Sequence, residues 1–404
     1  MAMAFYKGVF TANTGTGNQT VSGIVDENGA SFTPKAVMLW SAYLTSSAFT
    51  DGYLFQQGLT DGTNQNSTVV LSTDNASPNV SRVTTNITSL VTIINSAGTA
   101  TRVGTFVSFS SGQFVINWTT ADGLAPKFHF IAFGGTSLSA SVGSLSMVGP
   151  ASVPTLAFQP SCLIMMHNAT TGTGAPGPQM SFASYLDGTQ ALASNSLLTG
   201  QTTSSAFRYE RTTRAASLLN GANGAAFAEY GFGYLGLVQF TQPTAASALN
   251  YLALGGVNAT VGSGLQPTTT GNQSVTGKSF TPKGLMMASI GNVAVTTIQH
   301  NGSALSFGAA DATRQGWDWT GATNGVSPSV TATGHNESNI IVTATPNATG
   351  SSTTATSQAS WSSFNSDGFT INWGTADATQ REYFWMMLGD PSTSGSSGGA
   401  WASS

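Results

Sequence analysis

Carboxylates are the side chains of this sequence with the clearest capacity for catalysis. Hydrolysis of a glycan needs two facing carboxyl groups, and Asp51 with Asp61 is the best pair that the chain offers. A glycine follows each of them, however, and an Asp-Gly pair is typical of a tight turn. A glycan depolymerase built on these two acids is therefore one hypothesis, and two turn residues are the interpretation that we favour.

The remaining reactive side chains do not form a recognisable set. There is no Gly-x-Ser-x-Gly nucleophile elbow, although the many serines leave a Ser/His/Asp triad open. The single cysteine and the four scattered histidines do not have metal-ligand spacing: they are Cys162, His129, His167, His300 and His335. We expect no catalytic set, no metal and no cofactor, and we interpret Cys162 as a small buried hydrophobe.

Aromatic side chains among Gly, Ser, Thr and Asn are the stronger candidates, and they indicate binding. Exposed aromatic rings with polar neighbours can stack on sugars or anchor a protein interface. The candidates are Tyr43, Tyr53, Trp317, Trp319 and Trp361. The alternative is that they fill a β-sandwich, because the two tryptophans of "WDW" would share one face of a strand.

The composition limits the classes of protein that this chain can belong to. It has 404 residues, of which 7% are charged and 40% are hydrophobic, and a net charge of −4. The densest basic stretch, "FRYERTTR", is interrupted by Glu210, so we expect no nucleic-acid partner. No apolar run approaches the roughly 18 residues of a membrane span. The start, "MAMAFYKGVF", lacks the core of a signal peptide, so we expect synthesis in the cytoplasm without export.

Repeated phrases show how the chain is organised. "INWTTAD" at 116–122 returns as "INWGTAD" at 371–377, and "TGNQTVSG" at 16–23 returns as "TGNQSVTG" at 270–277. A Phe-x-Pro landmark occurs three times, at Phe32, Phe158 and Phe280. The intervals are of domain size, well above the 20–50 residues of a solenoid repeat.

The local pattern around these landmarks is that of β-strands. In "FVINW", Phe114, Ile116 and Trp118 alternate onto one face. In "FHFIAF", Phe128 and Phe130 share one face while apolar side chains occupy the other, as in a strand that is covered on both sides. No stretch has helical periodicity with caps.

These patterns predict an all-β protein of three tandem β-sandwich domains that arise from an internal threefold repeat, with a jelly roll as one form that each could take. The predicted bounds are 1–136, 137–257 and 258–390, followed by a Gly/Ser-rich tail at 391–404. Trp401 in that tail could dock on a neighbouring subunit of an assembly.

The "INW…AD" phrase itself favours scaffold over catalysis. A catalytic signature would keep its polar letters longest. The second unit instead keeps the apolar pattern and loses the polar letters, with Gln239 and a Thr-Gln-Pro turn where the first unit has Asn117 and Asp122. We therefore interpret the phrase as an inner strand and its hairpin turn.

At these motifs the chain resembles a family of repeat proteins encoded by tailed bacteriophages. The residues that carry the resemblance lie at 17–19, 32–37, 116–122, 251–256 and 371–377, with Trp40. The resemblance touches all three units, and the second unit departs from it at "INWTTAD". It implies a virion structural protein, associated with the tail or the particle surface, and it assigns no catalytic or binding residue.

Three functional hypotheses follow. The first is a non-enzymatic structural protein of the tail or its fibres, which contacts host surface glycan through loop aromatics. The second is a capsid decoration protein that stabilises the head, and the third is the depolymerase. The expected partners are other virion proteins and further copies of the chain, with a trimer as one option. We expect no membrane partner, and the expected location is the virion.

Overall fold

The computed structural model describes residues 2–146, 156–169, 176–184, 188–211, 229–232, 238–241, 247–293, 302–347 and 353–391. Every regular element in these ranges is a β-strand, and the strands form antiparallel sheets. The all-β prediction is therefore confirmed. None of the described residues forms a helix long and apolar enough to span a membrane. Residues 1–136, 137–257 and 258–390 are called the first, second and third segments below.

The first segment contains one large sheet and one small sheet. Its strands are β1 (Ala4–Thr11), β2 (Gly17–Ser22), β3 (Pro34–Ser41), β4 (Phe49–Asp51), β5 (Tyr53–Thr60), β6 (Gln65–Ser72), β7 (Ser81–Asn86), β8 (Val91–Ile94), β9 (Ala100–Ser110), β10 (Gln113–Thr120) and β11 (Lys127–Gly134). The large sheet has the order β1-β11-β3-β5-β6-β7, and the small sheet has the order β2-β10-β9-β8.

The second segment contains a six-stranded sheet and a two-stranded sheet. Its strands are β12 (Ser139–Ser146), β13 (Cys162–Ala169), β14 (Pro176–Ser184), β15 (Gln190–Leu197), β16 (Ala206–Arg211), β17 (Glu229–Phe232), β18 (Val238–Thr241) and β19 (Ser247–Gly255). The orders are β12-β19-β13-β14-β15-β16 and β17-β18.

The third segment again pairs a large sheet with a four-stranded one. Its strands are β20 (Asn258–Leu265), β21 (Gly271–Val275), β22 (Pro282–Ser289), β23 (Ser303–Ala310), β24 (Gln315–Ala322), β25 (Thr331–Asn336), β26 (Ile341–Thr345), β27 (Thr354–Asn365), β28 (Gly368–Thr375) and β29 (Glu382–Gly389). The orders are β20-β29-β22-β23-β24-β25-β4 and β21-β28-β27-β26, so β4 of the first segment joins the large sheet of the third.

The three large sheets share one strand order. In each, the first strand of the segment pairs with the last strand, and four strands then follow in chain order. The Phe-x-Pro landmarks precede equivalent strands in these sheets, since β3 and β22 begin at Pro34 and Pro282, and β13 begins two residues after Pro160. Proline suits a strand entrance because it cannot donate to the ladder.

Each large sheet of the first and third segments is covered on both faces. In β11, Phe128 and Phe130 pack against the small sheet with Phe114, Ile116 and Trp118, as their alternation predicts. On the opposite face, Ile131 and Phe133 enter a different core. These segments are β-sandwiches, with the inner strand "INW" where it was expected.

That second core joins all three segments, and we call it the central core. It is one cluster of buried side chains from the three large sheets, and it includes Met38, Phe55, Ile164, Phe182, Met286 and Phe307. Cys162 lies in it, as expected of a small hydrophobe. The segments therefore pack around a shared interior rather than as a row. Whether each segment is a domain that folds alone stays a prediction.

Candidate functional site

The structure separates the two carboxylates that the depolymerase hypothesis paired. Asp51 ends β4 and Asp61 follows β5, so the eight residues of β5 lie between them. A strand of that length spans about 25 Å, which is too far for two acids that act on one bond. Asp61 is a turn residue, as favoured above: its Oδ1 accepts the amide of Asn64 at 2.6 Å, and its Oδ2 accepts the amide of Val142 at 2.7 Å.

Three of the five aromatic candidates are buried, which corrects the expectation of exposed loop aromatics. Tyr53, Trp317 and Trp319 are 1%, 2% and 1% exposed. Both tryptophans lie in β24 and are covered by Phe49 of β4, with ring-centre distances of 5.7 and 5.5 Å. These three rings fill cores, and none of them can stack on a sugar from solution.

The other aromatic candidates are partly exposed or fall outside the described residues. Tyr43 donates its hydroxyl to Asp122 and accepts a hydrogen bond from Nε of Arg102 at 2.9 Å. Trp361 packs on Phe364, with ring centres 5.2 Å apart. Trp401 lies outside the described residues, so its predicted docking stays a prediction.

The repeated motifs are linked to each other by hydrogen bonds. The indole Nε1 of Trp118 in "INW" donates to Oε1 of Gln19 in "GNQ" at 2.7 Å. The same bond joins Trp373 to Gln273 at 2.8 Å in the third segment. The two phrases recur together because each buried indole needs an acceptor on the neighbouring strand.

The aspartates of "TAD" bind arginines. Arg102, whose side chain is fully buried, donates to Asp122 at 2.8 Å, and Arg381 donates to Asp377 at the same distance. Partial burial acts to raise the pKa of Asp122, but the hydrogen bonds from Tyr43 and Arg102 outweigh it and lower that pKa overall. Both motif carboxylates thus have structural partners, which agrees with the interpretation as scaffold.

A group of ionisable side chains lies where the first segment meets the third, and all but the half-buried Glu337 are buried. We call its members the junction cluster: Lys7, His129, Asp318, His335 and Glu337. The Nζ of Lys7 lies 2.8 Å from Nδ1 of His129, and Nδ1 of His335 lies 2.7 Å from Oδ1 of Asp318. The rings of the two histidines stack with centres 4.5 Å apart. Glu337 also binds Lys127 of the first segment.

Burial sets the protonation of this cluster. It lowers the pKa of Lys7 to about 7 and holds the pKa of His129 well below its ordinary value. Burial also acts to lower the pKa of His335, but the carboxylate of Asp318 outweighs it and raises that pKa. The pKa of Asp318 is raised by its complete burial, against the pull of His335. The neutral imidazole of His129, which contacts Lys7, therefore stacks on the imidazole of His335, which is paired with Asp318.

The junction cluster is a poor metal site, although its donor types suggest one. Atoms of His129, Asp318 and His335 lie within 4.8 Å of one another. The two imidazole planes are only 21° apart and stacked, so their in-plane lone pairs do not converge on one point. The amine of Lys7 already occupies one nitrogen of His129. These groups bind each other and close a contact between segments.

The other two contacts between segments use different polar groups. Between the second and first segments, Nδ2 of Asn250 donates to Oγ1 of Thr68 at 3.0 Å in a buried, uncharged pair. Between the third and second segments, the amide of Ile290 donates to the buried carboxyl of Glu210 at 3.0 Å. Burial raises the pKa of Glu210 well above its ordinary value. The polar groups thus differ among the three contacts between segments. This difference favours the correct pairing of segments over the wrong ones.

Three loops, one from each segment, meet each other, and we call them the loop ring: residues 73–80, 198–205 and 323–330. Equivalent amides donate to equivalent carbonyls around the ring, at an interval of 125 residues. The three bonds, each of 2.8 Å, run from Asn75 to Ser329, from Gly200 to Asn79 and from Gly325 to Ser204.

A second set of bonds runs around the ring in the opposite sense. The amides of Asn79, Ser204 and Ser329 donate to the carbonyls of Gln201, Val326 and Ala76, at 2.9, 2.8 and 3.0 Å. The hydroxyl of Ser77 lies 3.2 Å from that of Ser327 and donates to the carbonyl of Thr202 at 3.3 Å. Each loop is therefore bonded to both of the others, so the ring is closed.

Beside this ring, two adjoining cavities of about 390 and 520 Å³ share Asp51 and Asp74 in their walls. We call them together the β4 groove. It brings together Tyr43, Tyr53 and Asp51 of the sequence candidates, while Asp61 and the three tryptophans lie elsewhere. Asp51 is exposed, and Oδ1 of Asp74 accepts the amide of Thr331 at 2.6 Å.

Sequence reasoning missed Asp74 and the whole junction cluster. Asp74 lies in "STDNASP", whose counterpart "ATNGVSP" in the third segment could have marked the loop pair. The cluster combines residues near positions 7, 129 and 318–337, and no local spacing signals it.

The chain matches neither a protein-family model nor a curated protein sequence.

Proposed function

We propose that this chain is a non-enzymatic structural protein of a tailed-bacteriophage particle, positioned in the tail or its fibres. The observation that carries the proposal is closure: three sheets of one strand order surround the central core, and the loop ring joins all three segments. Such a body presents a rigid outer surface, because the large sheets of its first and third segments are packed on both faces. Rigidity of this kind suits a component that bears load.

The use of its polar groups supports the same conclusion. The motif carboxylates bind arginines, Asp61 accepts amides of its turn, and the side chains of the junction cluster bind one another. The carboxylate pair on which the depolymerase hypothesis depended is separated by the length of a strand. Among the described residues these groups leave the surface free for function, and surface is what an assembly protein uses.

The resemblance to phage repeat proteins supplies the setting for this proposal. Its motif residues now have structural roles, such as the bond between Trp118 and Gln19. The expected partners are neighbouring virion proteins and host surface glycan. Further copies of the chain are also proposed as partners, although the chain already supplies three sheets around one core, and a trimer is not needed to create that arrangement.

Location on the particle tests the proposal. A gold-labelled antibody against the chain is imaged on intact particles, with particles that lack the gene as the control. Label on the tail or its tip is the expected result. Label over the head would replace the proposal with capsid decoration, and a head-stability assay would follow. Absence of label from every particle would contradict a virion role altogether.

A further inference from the structure

We propose that the β4 groove binds a neutral oligosaccharide. This inference deepens the proposed function and rests on it for the source of the glycan, a host surface. The groove lies between β4, residues 71–74 at the end of β6 and directly after it, and loop residues 326–330, and it runs across the contact between the first and third segments. Its two cavities, of about 390 and 520 Å³, are of the size that small ligands occupy.

The lining has the chemistry that sugars require. Leu54 and Leu71 supply apolar surface, and the partly exposed Tyr43 adds a ring. The free carboxylate of Asp51 and the second oxygen of Asp74 accept no hydrogen bond from the described residues, so both can accept hydroxyl protons. Charge-assisted bonds of this kind are the stronger ones.

Charge decides the class of sugar. Two carboxylates line the groove, and no lysine or arginine does so among its described lining residues. A sialylated or uronic-acid glycan would bring a further negative charge next to Asp51 and Asp74, and like charges at close range repel. A chain of neutral hexoses or N-acetylhexosamines brings only hydroxyl and amide groups.

The walls are held in place before any ligand arrives. Among the described residues, the two non-glycine residues with positive φ are Tyr43 (62°) and Asn75 (50°), and both line this groove. Tyr43 is fixed by Ser41, whose hydroxyl accepts its amide at 2.8 Å. Asn75 is fixed by the loop ring, through its bond to Ser329. Strained residues that are held by their surroundings concentrate at ligand clamps.

The test is binding of the full chain to an array that carries three glycan classes: neutral hexose oligosaccharides, N-acetylhexosamine oligosaccharides, and sialylated or uronic-acid oligosaccharides. The expected result is binding to members of the first two classes. The variants D51N and D74N should each weaken that binding about tenfold or more, since each removes a charged acceptor. Asn keeps an oxygen for the Thr331 amide, so D74N preserves the loop.

The matched control is D61N, which changes a half-buried turn aspartate outside the groove. It should leave binding within about twofold of the parent. Failure of all three glycan classes to bind would overturn the inference, as would preference for the acidic class or equal loss in D61N and D51N. None of these outcomes moves the antibody label on the particle, so the groove can fail while the virion role stands.

Discussion

At the residue scale, the clearest design feature is a buried arginine that depends on one carboxylate. Arg102 is fully buried, and it donates to Asp122, to the carbonyl of Asn13 at 2.8 Å and to that of Leu124 at 2.6 Å. Arg381, its counterpart in the third segment, has a side chain that is 21% exposed. The same motif aspartate is therefore more important for stability in the first segment than in the third, because Arg102 is more deeply buried than Arg381.

Replacement of Asp122 by alanine should therefore be costly. It leaves the Arg102 guanidinium buried without its counter-charge, and we expect the free energy of unfolding to fall by about 3 kcal/mol. The matched change Asp377→Ala should cost only about 1 kcal/mol, because water can solvate Arg381. Urea unfolding followed by far-UV circular dichroism measures both. Equal losses would show that burial of the arginine is not what matters.

Lys7 gives a pH dependence whose sign is fixed by its lowered pKa. Between about 7 and the ordinary value near 10.5, the unfolded chain binds a proton that the folded chain does not bind. The free energy of unfolding contributed by Lys7 therefore rises with pH in this window, by at most about 1.4 kcal/mol per pH unit.

The variant Lys7→Met removes that titration. We expect the wild type to gain stability relative to Lys7→Met as the pH rises from 7 to 9.5, measured by urea unfolding at each pH. Val9→Ala, on the same strand and partly exposed, controls for a change in β1 without a titrating group. Parallel curves for the wild type and Lys7→Met would contradict the lowered pKa.

At the scale of elements, β4 is the strand that connects two segments. It pairs Phe49 with Gly334 and Asp51 with Ala332 on β25. A Cβ at position 334 would lie 2.6 Å from the ring of Phe49, so the glycine allows that ring to approach. The strand therefore covers Trp317 and Trp319 and also forms one wall of the β4 groove.

Phe49→Ala should uncover the two tryptophans. Because Phe49 is only partly buried, we expect a loss of about 2 kcal/mol in the free energy of unfolding. Tryptophan emission should shift to the red, and acrylamide should quench it more strongly. Leu124→Ala, at a side chain that is 50% exposed, is the control. Unchanged emission in Phe49→Ala would mean that β4 does not cover these rings.

Much of this element-level picture is predictable from the sequence, because it depends on local patterns. The alternation in "FVINW" and "FHFIAF" correctly indicates an inner strand and a strand covered on both faces. The Asp-Gly context of Asp61 correctly indicates a turn. In each case the side-chain period and the turn chemistry lie within a few residues of each other.

The remainder depends on contacts between distant residues. The sequence "WDW" does not show whether its tryptophans are exposed or covered. The residue that covers them, Phe49, lies 268 residues before Trp317 in the chain. Trp317 and Trp319 failed as exposed platforms for that reason, and Tyr53 failed because it packs against distant residues such as Leu197 and Ala322. The junction cluster and the β4 groove form only where the first and third segments meet, so no spacing of residues in the sequence predicts them.

At the scale of the whole molecule, the three contacts between segments are not equivalent. Short links join the first two pairs: β11 ends at Gly134 and β12 begins at Ser139, while β19 ends at Gly255 and β20 begins at Asn258. No peptide link spans the contact between the third and first segments. That contact holds the charged junction cluster and the crossing strand β4, which together compensate for the missing link.

Closure of the three segments within one chain is the central claim, and a designed disulfide tests it most directly. The hydroxyls of Ser77 and Ser327 lie 3.2 Å apart in the loop ring, and the native Cys162 is buried, so it does not compete.

The double variant Ser77→Cys/Ser327→Cys is oxidised at low protein concentration, with each single variant as a control. Non-reducing electrophoresis and mass spectrometry then locate the bond. We predict a single intrachain disulfide in a monomeric chain with wild-type circular dichroism. Free thiols, or bonds only between chains, would contradict the closed arrangement.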